Sequence, residues 1–226
     1  MKVVRRGFIK SIPILCSYLF VGMAYGITMQ NAGFAWYDAA IVSILVYTGA
    51  FQFVLISLLS SGASLITIAV TAFLMNSRQS FYALTFLEEF QSFKKHRGFL
   101  IRTMTDETYA VNCTIEKEEK DRAGVMFFVA LFSKTSWVLA AALGGLLGEL
   151  LPAQLNGIDF CMTALFVTIF IDQWEKTNNH KPALTGLLMA VLCLLIVGPD
   201  YFLLPALLLA SAVLMFEKGA KENHEF

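Results

Sequence analysis

The sequence predicts an all-α fold, a polytopic bundle of membrane helices, and three observations carry that prediction. Hydrophobic residues make up 57% of the chain and charged residues only 15%, with 20 phenylalanines. That is more apolar surface than a soluble chain of 226 residues can bury. The charges are gathered rather than spread, because residues 88–122 hold seven basic and eight acidic side chains out of 34. Roughly seven apolar runs fill the rest, at 12–29, 39–59, 65–87, 125–147, 158–171, 184–197 and 201–216. A formal net charge of zero gives nucleic acid no electrostatic footing. We read 1–226 as a single transmembrane domain.

The first run follows Lys2, Arg5, Arg6 and Lys10, and Ala24-Tyr25-Gly26 imitates a leader cleavage site. Further apolar runs follow, so 12–29 is read as a membrane helix that stays and starts in the cytoplasm. A helix needs about 20 residues to cross the hydrocarbon, and the first four runs have that length. The last three are short, and Gly198-Pro199-Asp200 parts two of them by a bare turn. Interrupted segments are expected where backbone lines a cavity.

Lysine and arginine favour cytoplasmic loops. Residues 29–38 and 148–157 carry neither, whereas Lys176, Lys181, Lys218 and Lys221 mark the later loop and the tail. Both termini are therefore placed inside. Three simple crossings would then put Lys94, Lys95 and Arg97 outside. Two resolutions stay open: 99–113 enters the membrane, or the third run is a re-entrant hairpin turning at Asn76-Ser77-Arg78-Gln79-Ser80. A weak internal repeat is also visible. Gly22-x-x-x-Gly26, Asp38 and the polar break at Asn76 correspond to Gly144-x-x-x-Gly148, Asp159 and the break at Gly198-Pro199. This suggests two three-segment units, 1–87 and 123–216, joined by the charged stretch 88–122. Close helix packing alone also produces Gly-x-x-x-Gly. Asp38 and Asp159 read best as helix caps.

Polar groups at lipid depth mark the candidate site. In Tyr47-Thr48-Gly49-Ala50-Phe51-Gln52-Phe53, Gly49 can break the helix, while Thr48 and Gln52 are spaced to share one face. They form either one wall of a solute cavity or a hydrogen-bonded packing face. Asn76-Ser77-Arg78-Gln79-Ser80, followed by Tyr82, interrupts the third run. Burying Arg78 costs ~2.5–3.5 kcal/mol on insertion scales. If the helix unwinds there, a half-helix N-terminus and Arg78 together suit a carboxylate; otherwise Arg78 snorkels to the interface. Thr105-Asp106-Glu107-Thr108-Tyr109 places two carboxylates in a moderately apolar stretch. Desolvation there would let Asp106 or Glu107 carry a proton, hold an ammonium or pair with Arg78; a plain helix N-terminus is the other reading. Lys134 stands about nine residues, ~13 Å, into the fourth run, a depth that suits charge balance, substrate contact or a long snorkel.

Cys16, Cys113, Cys161 and Cys193 have no metal-ligand spacing and read as small apolar residues. His96, His180 and His224 form no cluster, so neither a metal nor a cofactor is expected. No nucleophile elbow, phosphate loop or zinc motif appears, which argues against an enzyme.

Taken in order, these clusters resemble the AzlC family of branched-chain amino acid transport proteins. Tyr47 to Phe53 resembles the family's Gly-Ala-x-Gln-Phe signature, and Asn76 to Tyr82 its Asn-x-Arg-x-x-x-Tyr signature. Thr105 to Ala110 resembles its Thr-Asp-Glu-x-Phe/Tyr-Ala signature, and Gly157-Ile158-Asp159-Phe160 fits its later pattern. Ser77, Gln79 and Ser80 are more polar than the usual residues there. The resemblance implies an inner-membrane large subunit that works with a small AzlD-like membrane protein. It implies proton-driven export of branched-chain amino acids, with methionine as a further candidate. The expected substrate-binding residues are Thr48, Gly49, Gln52, Asn76, Arg78 and Tyr82. Asp106, Glu107 and Lys134 are the expected proton-coupling or ion-pairing residues. A passive channel for a small polar solute and a non-conducting scaffold subunit are the alternative readings.

Overall fold

A computed structural model describes residues 2–93, 95–116, 121–150, 167, 170–171, 174–175, 179–198 and 202–222. The described residues are helical throughout their regular structure, in agreement with the predicted class. In chain order the helices are α1 (Lys2–Asn31), α2 (Trp36–Leu45), α3 (Gly49–Ser60), α4 (Leu65–Thr85) and α5 (Leu87–Ser92). They continue with α6 (Arg97–Arg102), α7 (Asp106–Cys113), α8 (Arg122–Leu150), α9 (Lys181–Val197) and α10 (Leu203–Glu222). The chain divides into two compact units, Met1–Ser57 with Asn76–Met162, and Leu58–Met75 with Thr163–Phe226.

The first unit is built on α1 and α8, of 30 and 29 residues, both long and apolar enough to cross a bilayer. They lie side by side and parallel: Gly7 meets Phe128, Gly22 meets Ala140 and Gly148 meets Gln30, so residue numbers rise together along both. The contact is closest at Gly26, where a methyl group would collide with the Ala141 carbonyl, and at Gly144, where it would strike the Met23 backbone. Both Gly-x-x-x-Gly motifs thus serve one interface, where missing side chains let two backbones touch.

α2 turns back along α8. Trp36 sits against Gly145, and Ile44 lies beside Lys134, ten or so residues earlier on α8. Asp38 accepts the Ala35 N–H at 3.0 Å, the capping role expected of it. At Val46-Tyr47-Thr48 the helix stops, and α3 begins at Gly49. Gly49 abuts the Trp137 ring, while Phe53 packs edge-on against Tyr25, ring centroids 5.5 Å apart, further toward the C-terminal end of α1. The run 39–59 is therefore a re-entrant hairpin, not the single span its length suggested. Gln52 bonds the Val46 carbonyl at 2.7 Å and reaches Ser43 at 3.4 Å; nine residues of straight helix would separate 43 and 52 by ~13.5 Å.

A second correction concerns α4. It runs unbroken through Asn76-Ser77-Arg78-Gln79-Ser80, so no half-helix starts there. The stretch contains neither glycine nor proline, and polar side chains alone do not remove a backbone hydrogen bond. Asn76 is satisfied sideways, by Thr48. From there α4 runs toward the start of α8, where Phe86 and Phe90 join Leu100, Met104, Ile115, Val125, Met126 and Ala130 in a buried cluster.

α6 and α7 form a second hairpin, entering from the opposite end. His96 and Phe99 pack on Phe127, ring centroids 4.5 and 5.1 Å apart. The turn at Thr103-Met104-Thr105 is buried and reaches Tyr18, midway along α1. α7 then returns until the Ile115 carbonyl accepts from Arg122, which also grips Glu89 through two nitrogens. Of the two resolutions left open for 99–113 and the third run, the turn at 76–80 is absent from α4, while 99–113 folds back on itself as a pair of short helices. The two hairpins dip toward each other without crossing.

In the second unit α9 and α10 pack together, and Gly198 ends α9 with φ +87°, a conformation open to glycine. The expectations for 158–166, Asp159, Cys161 and Pro199-Asp200 lie outside the described residues.

Replacing Gly26 by alanine should cost about 1–3 kcal/mol, because backbone faces it on α8 and cannot yield. Alanine at Gly186, in open space on α9, should be neutral or stabilising by about 0.5–1 kcal/mol. Melting temperatures of the detergent-solubilised variants check both.

Candidate functional site

The two hairpin tips converge beside Tyr18 and Trp137, each near the middle of its long helix. Four of the expected residues are joined at the upper tip. Thr48 donates its hydroxyl to Asn76 Oδ1 at 2.7 Å. Gln52 is fully buried, donates to the Val46 carbonyl, and accepts the Trp137 indole N–H at 2.7 Å. Gly49 lies between these groups, and a side chain there would touch the Trp137 ring at 3.0 Å. The break in the backbone gives Gln52 its place. Ending α2 leaves carbonyls without helical partners, and a buried one must be satisfied. The Val46 carbonyl accepts the Thr48 N–H at 3.0 Å and a second bond from Gln52 at 2.7 Å, and Trp137 fixes which way the Gln52 amide faces.

The lower tip is organised by Thr105, which caps α7 by accepting the Thr108 N–H, while Thr108 Oγ1 accepts the Thr105 N–H at 2.7 Å. The tyrosine hydroxyl of Tyr18 donates to Glu107 Oε2 at 2.8 Å and meets Thr105 Oγ1 at 3.0 Å. Tyr47, buried at the upper tip, has Tyr18 and Glu107 as electrostatic neighbours. The Lys134 ammonium stands 5.7 Å from the Tyr47 ring centroid. Tyr18 and Tyr47 thereby connect Glu107 on one hairpin with Lys134 and the broken helix of the other.

The remaining expected residues stand on α4 and α7. Tyr82 stacks on Tyr109 at 4.7 Å and packs on the Phe86–Phe90 cluster. Asp106 takes its place in the first turn of α7, and Arg78 lies on the helical backbone of α4. The residues missed by sequence reasoning are Tyr18, Tyr25 and Trp137. Tyr25 stacks on Trp137 at 6.2 Å, and Tyr18 meets that ring edge-on at 5.0 Å. Their signal was position: tyrosine and tryptophan collect at membrane interfaces, whereas these stand mid-run. Among the described residues no group of histidine, cysteine, aspartate and glutamate is placed to hold a metal.

Two hairpins meeting at a buried polar joint between long apolar helices are the interior of a helical membrane protein, the class in which broken helices line solute sites. Residues 13–151 match the AzlC protein family, and the chain belongs to that family. It is similar to the branched-chain amino acid transport protein AzlC of Bacillus subtilis, 36% identical over 220-odd residues, with 98% of this chain and 87% of that one covered. An uncharacterized membrane protein of Helicobacter pylori is 36% identical over 96% of each chain. The inner membrane protein YgaZ of Escherichia coli is 28% identical over 90% of this chain and 84% of its own. No solved structure matches the chain.

Changing Trp137 to phenylalanine removes one donor and leaves the buried Gln52 oxygen unpaired, which should cost about 1–3 kcal/mol. The double variant with Gln52→Leu should lose less than the sum of the single changes, by about 0.5–3 kcal/mol. A double-mutant cycle of detergent melting curves measures this.

Proposed function

We propose that this protein exports branched-chain amino acids, leucine, isoleucine and valine, across the cytoplasmic membrane. Methionine is a further candidate substrate. The observation that carries the reading is the hydrogen-bonded joint of Thr48, Gln52, Asn76 and Trp137 at the point where α2 breaks. It occurs in a chain similar along nearly its whole length to a protein named for branched-chain amino acid transport. A broken helix offers backbone groups at mid-depth to a polar solute, and rigid aromatic rings beside it suit an apolar side chain.

In this reading Thr48, Gln52, Asn76 and the first turn of α3 at Gly49 receive the zwitterionic end. Phe51, Phe53 and Tyr82 receive the aliphatic end, and Arg78 supplies positive charge from α4. Glu107, gripped by Tyr18, carries the coupled proton, with Asp106 as its neighbour on α7. Cytoplasmic N-terminal ends of α1 and α8 bring Lys95 and Arg97 to the same side as Arg5 and Arg6, as the distribution of positive charge favours. A small AzlD-like membrane subunit is the expected partner.

Efflux of labelled leucine, isoleucine, valine and methionine from preloaded cells tests the reading, against a polar control. Expression accelerates efflux of the branched-chain set, and a protonophore abolishes the acceleration. Arg78→Gln and Glu107→Gln should each insert normally, the first losing efflux and the second losing its dependence on the gradient. No acceleration, with or without the small subunit, would sink the proposal.

A further inference from the structure

At the tip of the lower hairpin, Glu107 and three hydroxyls form an unbroken chain of hydrogen bonds. The Tyr18 hydroxyl lies 2.8 Å from Glu107 Oε2 and 3.0 Å from Thr105 Oγ1. Thr105 Oγ1 lies 3.2 Å from Thr108 Oγ1, and that oxygen reaches the Thr105 carbonyl at 3.1 Å. Tyr18, Thr105 and Thr108 are buried, away from competing water, while Glu107 is the exposed end of the chain. A hydroxyl carries one proton and two lone pairs. Tyr18 therefore has one proton for two acceptors, and the charge of Glu107 decides which of them takes it. Other titratable groups stand around this chain rather than in it. Tyr47, between α2 and α3, is an electrostatic neighbour of both Tyr18 and Glu107, with Lys134 of α8 beyond its ring. Asp106 precedes Glu107 on α7, Tyr82 of α4 stacks on Tyr109, and Glu89 pairs with Arg122 at the far end of α7.

An ionised Glu107 has no proton to give, so Tyr18 donates to it. Thr105 then donates to the Tyr18 oxygen, and Thr108 donates to Thr105 Oγ1. A protonated Glu107 reverses each of these bonds. Its own O–H points at the Tyr18 oxygen, Tyr18 donates to Thr105, and Thr105 donates to Thr108. Thr108 then donates to the Thr105 carbonyl, which already lies within reach. Thr108 Oγ1 accepts the Thr105 N–H, and Thr105 Oγ1 accepts the Thr108 N–H, in both arrangements. Every hydroxyl is satisfied either way, no O–H bond breaks, and each group turns only about its own C–O bond. A buried chain with two complete arrangements is bistable, and bonds in series strengthen one another. We infer that Tyr18 is a positioning residue whose hydroxyl turns from Glu107 to Thr105 when Glu107 takes up a proton, so that the charge of that carboxyl is written into the cap of α7. The edge-on contact with Trp137, at 5.0 Å, holds the phenol where it reaches both acceptors. This deepens the transport reading and rests on it for the use made of the proton; the reversal itself is read without transport.

Infrared difference spectra between acid and neutral buffer test it, on the purified full-length protein carrying isotope-labelled tyrosine. Acid should raise a carboxylic-acid band that Glu107→Gln removes. One tyrosine C–O band should shift with the same pH profile, and Tyr18→Phe or Glu107→Gln should each abolish that shift. In Thr105→Val the carboxylic acid still forms, but Tyr18 has no acceptor to turn to. Its band should then move to the position of a phenol that accepts without donating, and Thr105→Ser should restore the wild-type shift. A Thr105 that merely caps α7 would leave the tyrosine shift unchanged in Thr105→Val, and that result overturns the inference. A tyrosine band that stays still while Glu107 takes its proton overturns it too, as does a Glu107 that shows no carboxylic-acid band. If Thr105→Val does not fold, the wild-type and Tyr18→Phe spectra decide the question. Absence of the reversal beside intact, gradient-driven leucine efflux leaves the transport reading standing. The reversal in a protein that moves no amino acid does the opposite.

Discussion

Two helices of this chain come so close that their backbones touch, and every other element of the first unit is measured against that contact. Gly22 and Gly26 on α1 face Ala140, Ala141, Gly144 and Gly145 on α8. In lipid there is no hydrophobic drive to bring helices together, since the tails are as apolar as leucine. Close van der Waals contact supplies the attraction instead, and glycine is what makes it close. Because α1 and α8 are parallel, the chain between them must return from the end where α1 finishes to the end where α1 starts. Two hairpins that return to their own end, with α4 between them, meet that condition.

The hairpins bring polar chemistry to a depth where it is otherwise expensive. Each tip solves its own hydrogen-bonding problem first: Gln52 serves Val46 at the upper one, and Thr105 with Thr108 caps α7 at the lower one. Only then do the tips acquire outside partners. Tyr18 and Trp137 are those partners, one on each long helix, and their rings touch. The rigid pair thus presents one donor to each hairpin, an indole N–H to Gln52 and a phenol to Glu107.

Much of this was legible in the sequence, and the rest was hidden for identifiable reasons. Thr48, Gly49 and Gln52 stood out because polar residues and a glycine in an apolar run need an explanation. The reversal at Tyr47 did not, because a hairpin and a straight span over 39–59 have the same hydropathy. Asn76 and its neighbours looked like a helix break because they are polar, yet helices end where backbone bonds are lost, and nothing in that stretch removes one. The glycine motifs were visible, but their mutual contact was not, since sequence spacing says nothing of partners 120 or so residues away. A helix start at Thr105 to Glu107 was one of two readings that the sequence left open, and α7 does begin there; their neighbour Tyr18 was lost among the aromatics of the first run.

The bond between Trp137 and Gln52 joins residues 85 positions apart, and this sets an order of events during synthesis. Gln52 leaves the ribosome long before its indole partner exists. At roughly 5–20 residues per second, the interval is on the order of 4–17 seconds. Through that time the first hairpin has its internal bond to Val46 but lacks the contact that fixes the amide. The nascent chain therefore waits with a half-finished polar tip, and the arrival of α8 completes it. Quality control that samples unfinished membrane proteins would find its target in that interval, and a truncation before α8 would make the interval permanent.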